Sequence, residues 1–504
     1  MRIRIIALLV LIAAPLILGS GINATAANKE EINIGFSAFA PSLDPHVQWA
    51  MPTHSIIRTL GDPLVYFDWD MKIKPWLATK WERLDDVTWK LYLRKGVKFH
   101  NGEPFNAASV KYTMERFLDP EFKTPWKKLY QFTKSVEIVD DYTVIAKTKV
   151  PFAPFLNFWA IPVVVPPKAA ADFKKFAEEP VGTGPYKLVE YVPNNRGVVE
   201  AWPEYWGPKA KFKKITFRLL REGATRVAAL LAGEVDLITN LPFDSIPKVE
   251  KNDKTTVKSI PSFRYVYLAC NQKKFEPFRD KRVRRALYHA IDREGLAKYV
   301  FGGMAKACKA PFPEALEHVH RNLPAYDYDP EKAKKMLAEA GHPDGFKINI
   351  GTPNGRYLKD VEVATAVAGQ LKKVGIQAEV MPTDWGVYRS ERGKGKDSKF
   401  DLWLAAWGIL TVESDWAVTW LNHSPTLHGH DDPQIDRLID EGRGIMDPEK
   451  AKQNYQKLQE ILWEDAPVIF LYWQPSIYGV SKDLAPYFEP RADEFTILKT
   501  RYGD

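Results

Sequence analysis

The chain has 504 residues, 45% of them apolar and 27% charged, with a net charge of +8. These are ordinary globular proportions; they exclude a disordered chain, a collagen, a coiled coil and a multi-span membrane protein, and the length calls for about two to four domains or one large bilobal body. The cations interleave with acids and bring no zinc spacing, basic helix or aromatic RNA-binding signature, so the mild basicity suits solubility or anionic partners and argues against nucleic acid.

Residues 1–26 have the order of an export signal. Arg2 and Arg4 precede an apolar run, 5–18, broken by Pro15, and Ala24-Thr25-Ala26 offers an A-x-A cleavage site. The run is shorter than the roughly 20 residues that span a bilayer, and no cysteine nearby offers a lipid anchor. The mature chain is therefore expected free in an exported compartment, a bacterial periplasm; a retained membrane anchor is the alternative. Alternation of Val87, Trp89, Leu91 and Leu93 with polar residues predicts a half-buried strand, repeated at Ile215, Phe217 and Leu219 and at Ile376, Ala378 and Val380. Asn106 is placed to cap a helix carrying Val110, Met114 and Phe117. Residues 224–233 read as a short helix feeding a strand at 235–238, and Val283, Ala286, Leu287 and Ala290 follow helical spacing. Asp329-Pro330-Glu331 and Asp447-Pro448-Glu449 each supply an N-cap, a proline and an acid for a helix start. The basic, Gly-containing run 389–399 reads as a loop. Strand–helix–strand order with short links predicts α/β lobes with mainly parallel sheets. The aromatic, β-prone segments 265–270 and 468–478 are the best candidates for strands crossing between lobes.

Catalytic signatures are missing: there is no G-x-x-x-x-G-K-[ST], H-E-x-x-H, G-x-S-x-G or helix-opening G-x-G-x-x-G. The acid pairs Asp85-Asp86, Asp140-Asp141 and Asp431-Asp432 read as turns, and a secreted hydrolase has no positive support. His318-Val319-His320 and the group His423, His428 and His430 are the candidate metal ligands; polar loops are the alternative reading. No cofactor is expected. Cys270 and Cys308 could bridge in an exported protein or remain buried thiols. Trp385, Trp403, Trp407, Trp416 and Trp420 fall in one window. Trp403 lies mid-strand and reads as core. Trp407 ends that strand before Gly408, and ligands of open α/β sheets gather outside the carboxyl ends of strands, so Trp407 and Trp385 read as pocket residues.

Several stretches together resemble the large solute-binding proteins of bacterial ABC importers, the oligopeptide, dipeptide and nickel class (family 5). They are Leu43-Asp44-Pro45, Pro75-Trp76-Leu77-Ala78 with Trp81, residues 93–102 (LRKGVKFHNG), Gly182-Thr183-Gly184-Pro185-Tyr186, Tyr205-Trp206-Gly207, and Arg282-Val283-Arg284-Arg285-Ala286-Leu287 continuing to Asp292-Arg293. The resemblance covers nearly the whole mature chain. It implies a bilobal periplasmic-binding-protein fold of type II with an extra subdomain, the lobes joined by two crossover strands: lobe one from residues 27–267 and 477–504, lobe two from 268–476. It further implies a monomer that closes on a small-molecule or peptide ligand and delivers it to ABC permease and ATPase subunits of the inner membrane. Peptides, opine or sugar-like conjugates and metal chelates are the ligand classes, and a chemosensory role shares the fold.

By the same resemblance, Trp407 and Trp385 match pocket tryptophans and Arg356 a polar cleft residue, with Gly408 and Trp49 counted beside them. Peptide-binding members carry an Asp three residues after the pocket Trp, paired with the ligand's ammonium. Leu410 stands there in this chain, with Glu413 and Asp415 as possible replacements. A buried ammonium without a carboxylate partner is costly, so a ligand with an acidic or sugar-like end is expected over a free-amine peptide.

Overall fold

The computed structural model describes residues 29–38, 42–47, 51–68, 71–314, 316–409, 413–421 and 432–489. The export signal, Trp49, Leu410, His423, His428 and His430 lie outside the described residues. Two strands organise the molecule, Thr255–Cys270 and Val468–Ser481. They pair antiparallel along their length, but the register slips between Pro261 and Tyr265, opposite Trp473 and Pro475. On one side of the slip, residues 255–261 and 475–481 join Leu237–Ile238, Glu31–Phe36, Lys214–Leu219, Arg196–Ala201 and Tyr186–Val192. On the other, residues 265–270 pair with Leu402–Gly408, followed by Lys347–Pro353 and Gln377–Thr383. One hydrogen-bonded sheet thus serves two lobes.

The sheet is mixed, which corrects the expectation of mainly parallel pairing. Glu31–Phe36 and Lys347–Pro353 run parallel to both neighbours, but the crossing strands and their partner Leu402–Gly408 are antiparallel. So is a separate four-stranded sheet of Ala78–Asp85, Thr88–Leu93, Thr143–Thr148 and Thr133–Asp140. Apolar alternation reports which face of a strand is buried, not which way its neighbour runs.

Helix starts follow local chemistry. The side chains of Asn106, Asp329 and Asp447 accept hydrogen bonds from the backbone N–H groups of Ala108, Lys332 and Lys450, and cap Ala107–Leu118, Pro330–Glu339 and Pro448–Asp465. The run 389–399 is not all loop: Trp385–Gly393 is a helix, capped by Asp384, with Tyr388 and Glu391 buried. Packing of those two residues outweighs the glycines and charges that suggested a loop.

The family-like motifs converge in lobe one on the buried carboxylate of Asp62. It accepts hydrogen bonds from Trp76 Nε1 (2.8 Å), Thr183 Oγ1 (2.9 Å), Tyr205 Oη (3.2 Å) and Trp206 Nε1 (3.2 Å). Gly184 runs against the C-terminal end of helix Met51–Leu60, where an added Cβ would stand 2.5 Å from the Thr59 carbonyl oxygen. Asp44 is buried against Arg116 (2.9 Å). In lobe two the family-like run at 282–287 turns Arg284 inward, to Asp465 and to the carbonyls of Phe278 and Arg279. Cys270 and Cys308 are both free and buried, and burial pushes the Cys270 thiol up to about 12.

Candidate ligand-binding cleft

Strand Leu402–Gly408 begins in the core, with Trp403 fully buried, and emerges at Trp407. The Trp407 indole N–H donates to the Trp416 carbonyl (3.0 Å), and Trp416 Nε1 returns a bond to the Gly408 carbonyl (3.1 Å). Trp420 stacks on Tyr267 with ring centres 4.6 Å apart and donates to Tyr265 Oη (2.6 Å). Tyr265 in turn donates to the Ala417 carbonyl. These bonds satisfy the indole and phenol groups within the protein and leave the half-buried Trp407 face as apolar stacking surface. Trp416 reaches Phe158 of the other lobe at 6.1 Å, so the cluster lies at the lobe–lobe boundary.

A second group follows strand Lys347–Pro353. Asp360, buried at the start of helix Asp360–Lys372, accepts hydrogen bonds from the backbone N–H groups of Gly355 (3.0 Å), Arg356 (2.9 Å), Tyr357 (3.0 Å) and Val361 (3.0 Å). This knot holds the loop that presents Arg356. The Arg356 guanidinium lies 5.2 Å from the Trp385 ring and 5.7 Å from Tyr357. The residue is solvent-accessible, yet burial of the guanidinium among protein pulls its pKa below the ordinary value, and the positive charge of Arg264 lowers it further. Arg264 comes from the register slip between the crossing strands and pairs with Gly408; a Cβ on Gly408 would stand 2.9 Å from its guanidinium nitrogen. Glycine there leaves room for the arginine to lie across the end of the strand. Arg392 sits beside Tyr388, its guanidinium 5.6 Å from the ring, with Tyr267 and Tyr357 also near.

The two acids differ in availability. Asp415 is buried and its Oδ1 accepts from Arg443 Nε at 2.9 Å, so its charge is already paired. Glu413 caps the short helix Ser414–Val418, and burial, reinforced by the Asp415 carboxylate, pushes its pKa up to about 7. His318 and His320 go separate ways, one to Ser414 Oγ (2.9 Å) and the other toward Glu460 (3.3 Å). No group of three or more His, Cys, Asp or Glu that could hold a metal ion occurs among the described residues.

A family model, Bacterial extracellular solute-binding proteins, family 5 Middle, matches residues 72–428. The chain belongs to that family. It is 32% identical over 477 residues to the glutathione-binding protein GsiB of Pectobacterium atrosepticum, covering 92% of each chain. Among solved structures it resembles the periplasmic binding protein DppA of Helicobacter pylori in complex with the peptide STSA, with a TM-score of 0.77, 26% identity and coverage of 93% and 97% of the two chains. It also resembles AgaA from A. tumefacien R10 in complex with agropinic acid, with a TM-score of 0.73, 26% identity and coverage of 90% and 93%. The protein is a substrate-binding component of an ABC importer with the bilobal fold, as the sequence motifs implied. Its family consists of transport components, and among the described residues no helix is long and apolar enough to cross a membrane.

In this solute-binding protein the structure brings Trp385, Arg356 and the Trp407–Gly408 strand end to one side of the lobe boundary, and it commits Asp415 to Arg443. Arg264, Arg392, Tyr357 and Asp360 escaped the sequence reading. Trp385, Tyr388 and Arg392 share a helical stripe at i, i+3 and i+7, which was a usable signal once the segment was read as helix. Arg264 had only its place just before the aromatic crossing segment to mark it.

Proposed function

We propose that this protein is exported to the periplasm with residues 1–26 removed, works as a monomer, and captures an acidic, peptide-sized solute for the permease and ATPase subunits of an inner-membrane importer. The lobes divide at the register slip, so that the chain up to 261 and from 475 closes against 265–473, a few residues from the 267/268 and 476/477 boundaries expected from the sequence. Ligand stacks on Trp407 and Trp385, and Arg356 receives an anionic group. The carrying observation is geometric: the exposed Arg356 guanidinium lies 5.2 Å from the Trp385 ring, and the Arg264 guanidinium lies against Gly408 at the end of the Trp407 strand. Two like charges beside an accessible cleft favour an anion between them, and the planar guanidinium suits a carboxylate. Asp415 is spent on Arg443, and Glu413 is held partly protonated near pH 7, so neither offers a ready fixed charge for an ammonium. Glutathione, named for the GsiB relatives, carries two carboxylates and one amine and is the first ligand to try.

The test is mass spectrometry of ligand released by denaturing the purified protein, followed by calorimetry with glutathione, an opine acid, and free-amine and N-acetylated neutral peptides. Acidic ligands should bind best, and Arg356→Ala should weaken them at least about tenfold. Preference for neutral free-amine peptides, unaffected by Arg356→Ala, would overturn the reading and point to Glu413.

A further inference from the structure

The loop that carries Arg356 also crosses to the other lobe. Leu358 packs against the main hydrophobic core and against the cluster around Val227, Leu230 and Ile238 in lobe one, and its N–H donates to Gln474 Oε1 (3.3 Å) at the register slip. Lys359 follows in a left-handed conformation, φ 54° and ψ 39°, which costs a residue with a Cβ. Its ammonium reaches over the Phe243 ring of lobe one (4.6 Å) and pairs with Asp244 Oδ1 at 3.3 Å. Phe243 itself stands against Gly302 of lobe two, where an added Cβ would lie 3.0 Å from its ring. Asp360 then ties residues 355–357 together through their backbone N–H groups. Cleft cation, contact to the crossing strands and bond across the lobes therefore stand within one short, knotted segment.

We propose that the loop 354–359 couples ligand capture to lobe closure, with Lys359 as the closing contact on Phe243 and Asp244. Closure brings these partners together, and opening the lobes separates them. The left-handed backbone at Lys359 is the conformation in which its side chain reaches Phe243 and Asp244. Asp244 is largely exposed, so its ion pair is weak and reversible, as a contact that breaks at each release must be. The ligand half of the proposal rests on Arg356 meeting the ligand as proposed above; the closing contact does not.

The experiment uses the full mature chain with spin labels on Lys251→Cys and Lys335→Cys, exposed positions in the two lobes, the native thiols being buried. Interlobe distances are measured without ligand and with reduced glutathione. Lys359→Gly should lower the closed fraction about three- to tenfold with the melting temperature unchanged or raised, because glycine takes the left-handed conformation without strain. Asp244→Lys should act likewise, and adding Lys359→Glu to it should restore part of the loss. A closed fraction unchanged in Lys359→Gly would overturn the proposal. So would a loss that comes with a lower melting temperature and is matched by Lys359→Arg, or a wild type with no closed population in either condition. If glutathione leaves a partly closed wild type unmoved, the ligand half fails for glutathione, and the ligand-free comparison of wild type with Lys359→Gly still decides the closing contact.

Discussion

Replacing Glu413 by Gln should stabilise this protein at alkaline pH and leave it unchanged in acid. In the folded chain burial and the Asp415 carboxylate raise the Glu413 pKa from 4.5 to about 7. A shift of that size costs the ionised form about 3 kcal/mol, and the partial exposure of the residue trims this to roughly 2 kcal/mol. The sign follows from proton counting. Below pH 4.5 the group is protonated in both states and adds no penalty. Between 4.5 and 7 the unfolded chain gives up its proton first, so stability falls as pH rises; above 7 the full penalty stays. Glutamine keeps the acceptor that caps Ser414–Val418 and has no charge to bury. Urea unfolding of wild type and variant at pH 4 and pH 8 should give equal midpoints at the first and a variant more stable by about 2 kcal/mol at the second. A variant that is less stable at pH 8, or a difference that does not change with pH, would refute the reasoning. The same measurement bears on the ligand: an ammonium docking on Glu413 at pH 7 would expel about half a proton per binding event, visible in calorimetry as a buffer-dependent heat.

Asp62→Asn should cost about 2 kcal/mol in urea unfolding, because an amide cannot accept from all four donors that face the carboxylate, and Asp62→Ala should cost more. Gly184→Ala should destabilise by about 3 kcal/mol, since its Cβ would meet the Thr59 and Leu60 backbone rather than a side chain able to turn away; differential scanning calorimetry reads the loss. Asp360→Asn should weaken binding of an acidic ligand about tenfold in calorimetry by loosening the loop that presents Arg356, with little change in the far-ultraviolet spectrum.

Local chemistry was the legible part of this fold. Asn106, Asp329 and Asp447 could be read as caps because each acts on an N–H two or three residues away. Strand direction was not legible, since it depends on how residue 265 meets residue 407. The Asp62 centre was hidden for the same reason: its donors sit at positions 76, 183, 205 and 206 and meet only after the lobe has folded. The candidate cleft was half legible. Trp407 and Trp385 announced themselves at strand ends, whereas Arg264 acquires its place from the register slip and from the missing side chain of Gly408. Asp415 illustrates the opposite case: it looked available in sequence, and only Arg443, from a distant helix, shows that it is taken.

The central position of Val468–Ser481 has a consequence for biogenesis. This strand lies late in the chain, yet it pairs with Thr255–Cys270 and with Leu237–Ile238 in the middle of the sheet. Neither lobe can complete its sheet until that segment has been synthesised. Contacts of such sequence separation make for slow folding, because the loop must be closed before the pairing rewards it. Until that strand joins, neither half of the sheet is complete, which delays the compact form that a narrow pore would exclude.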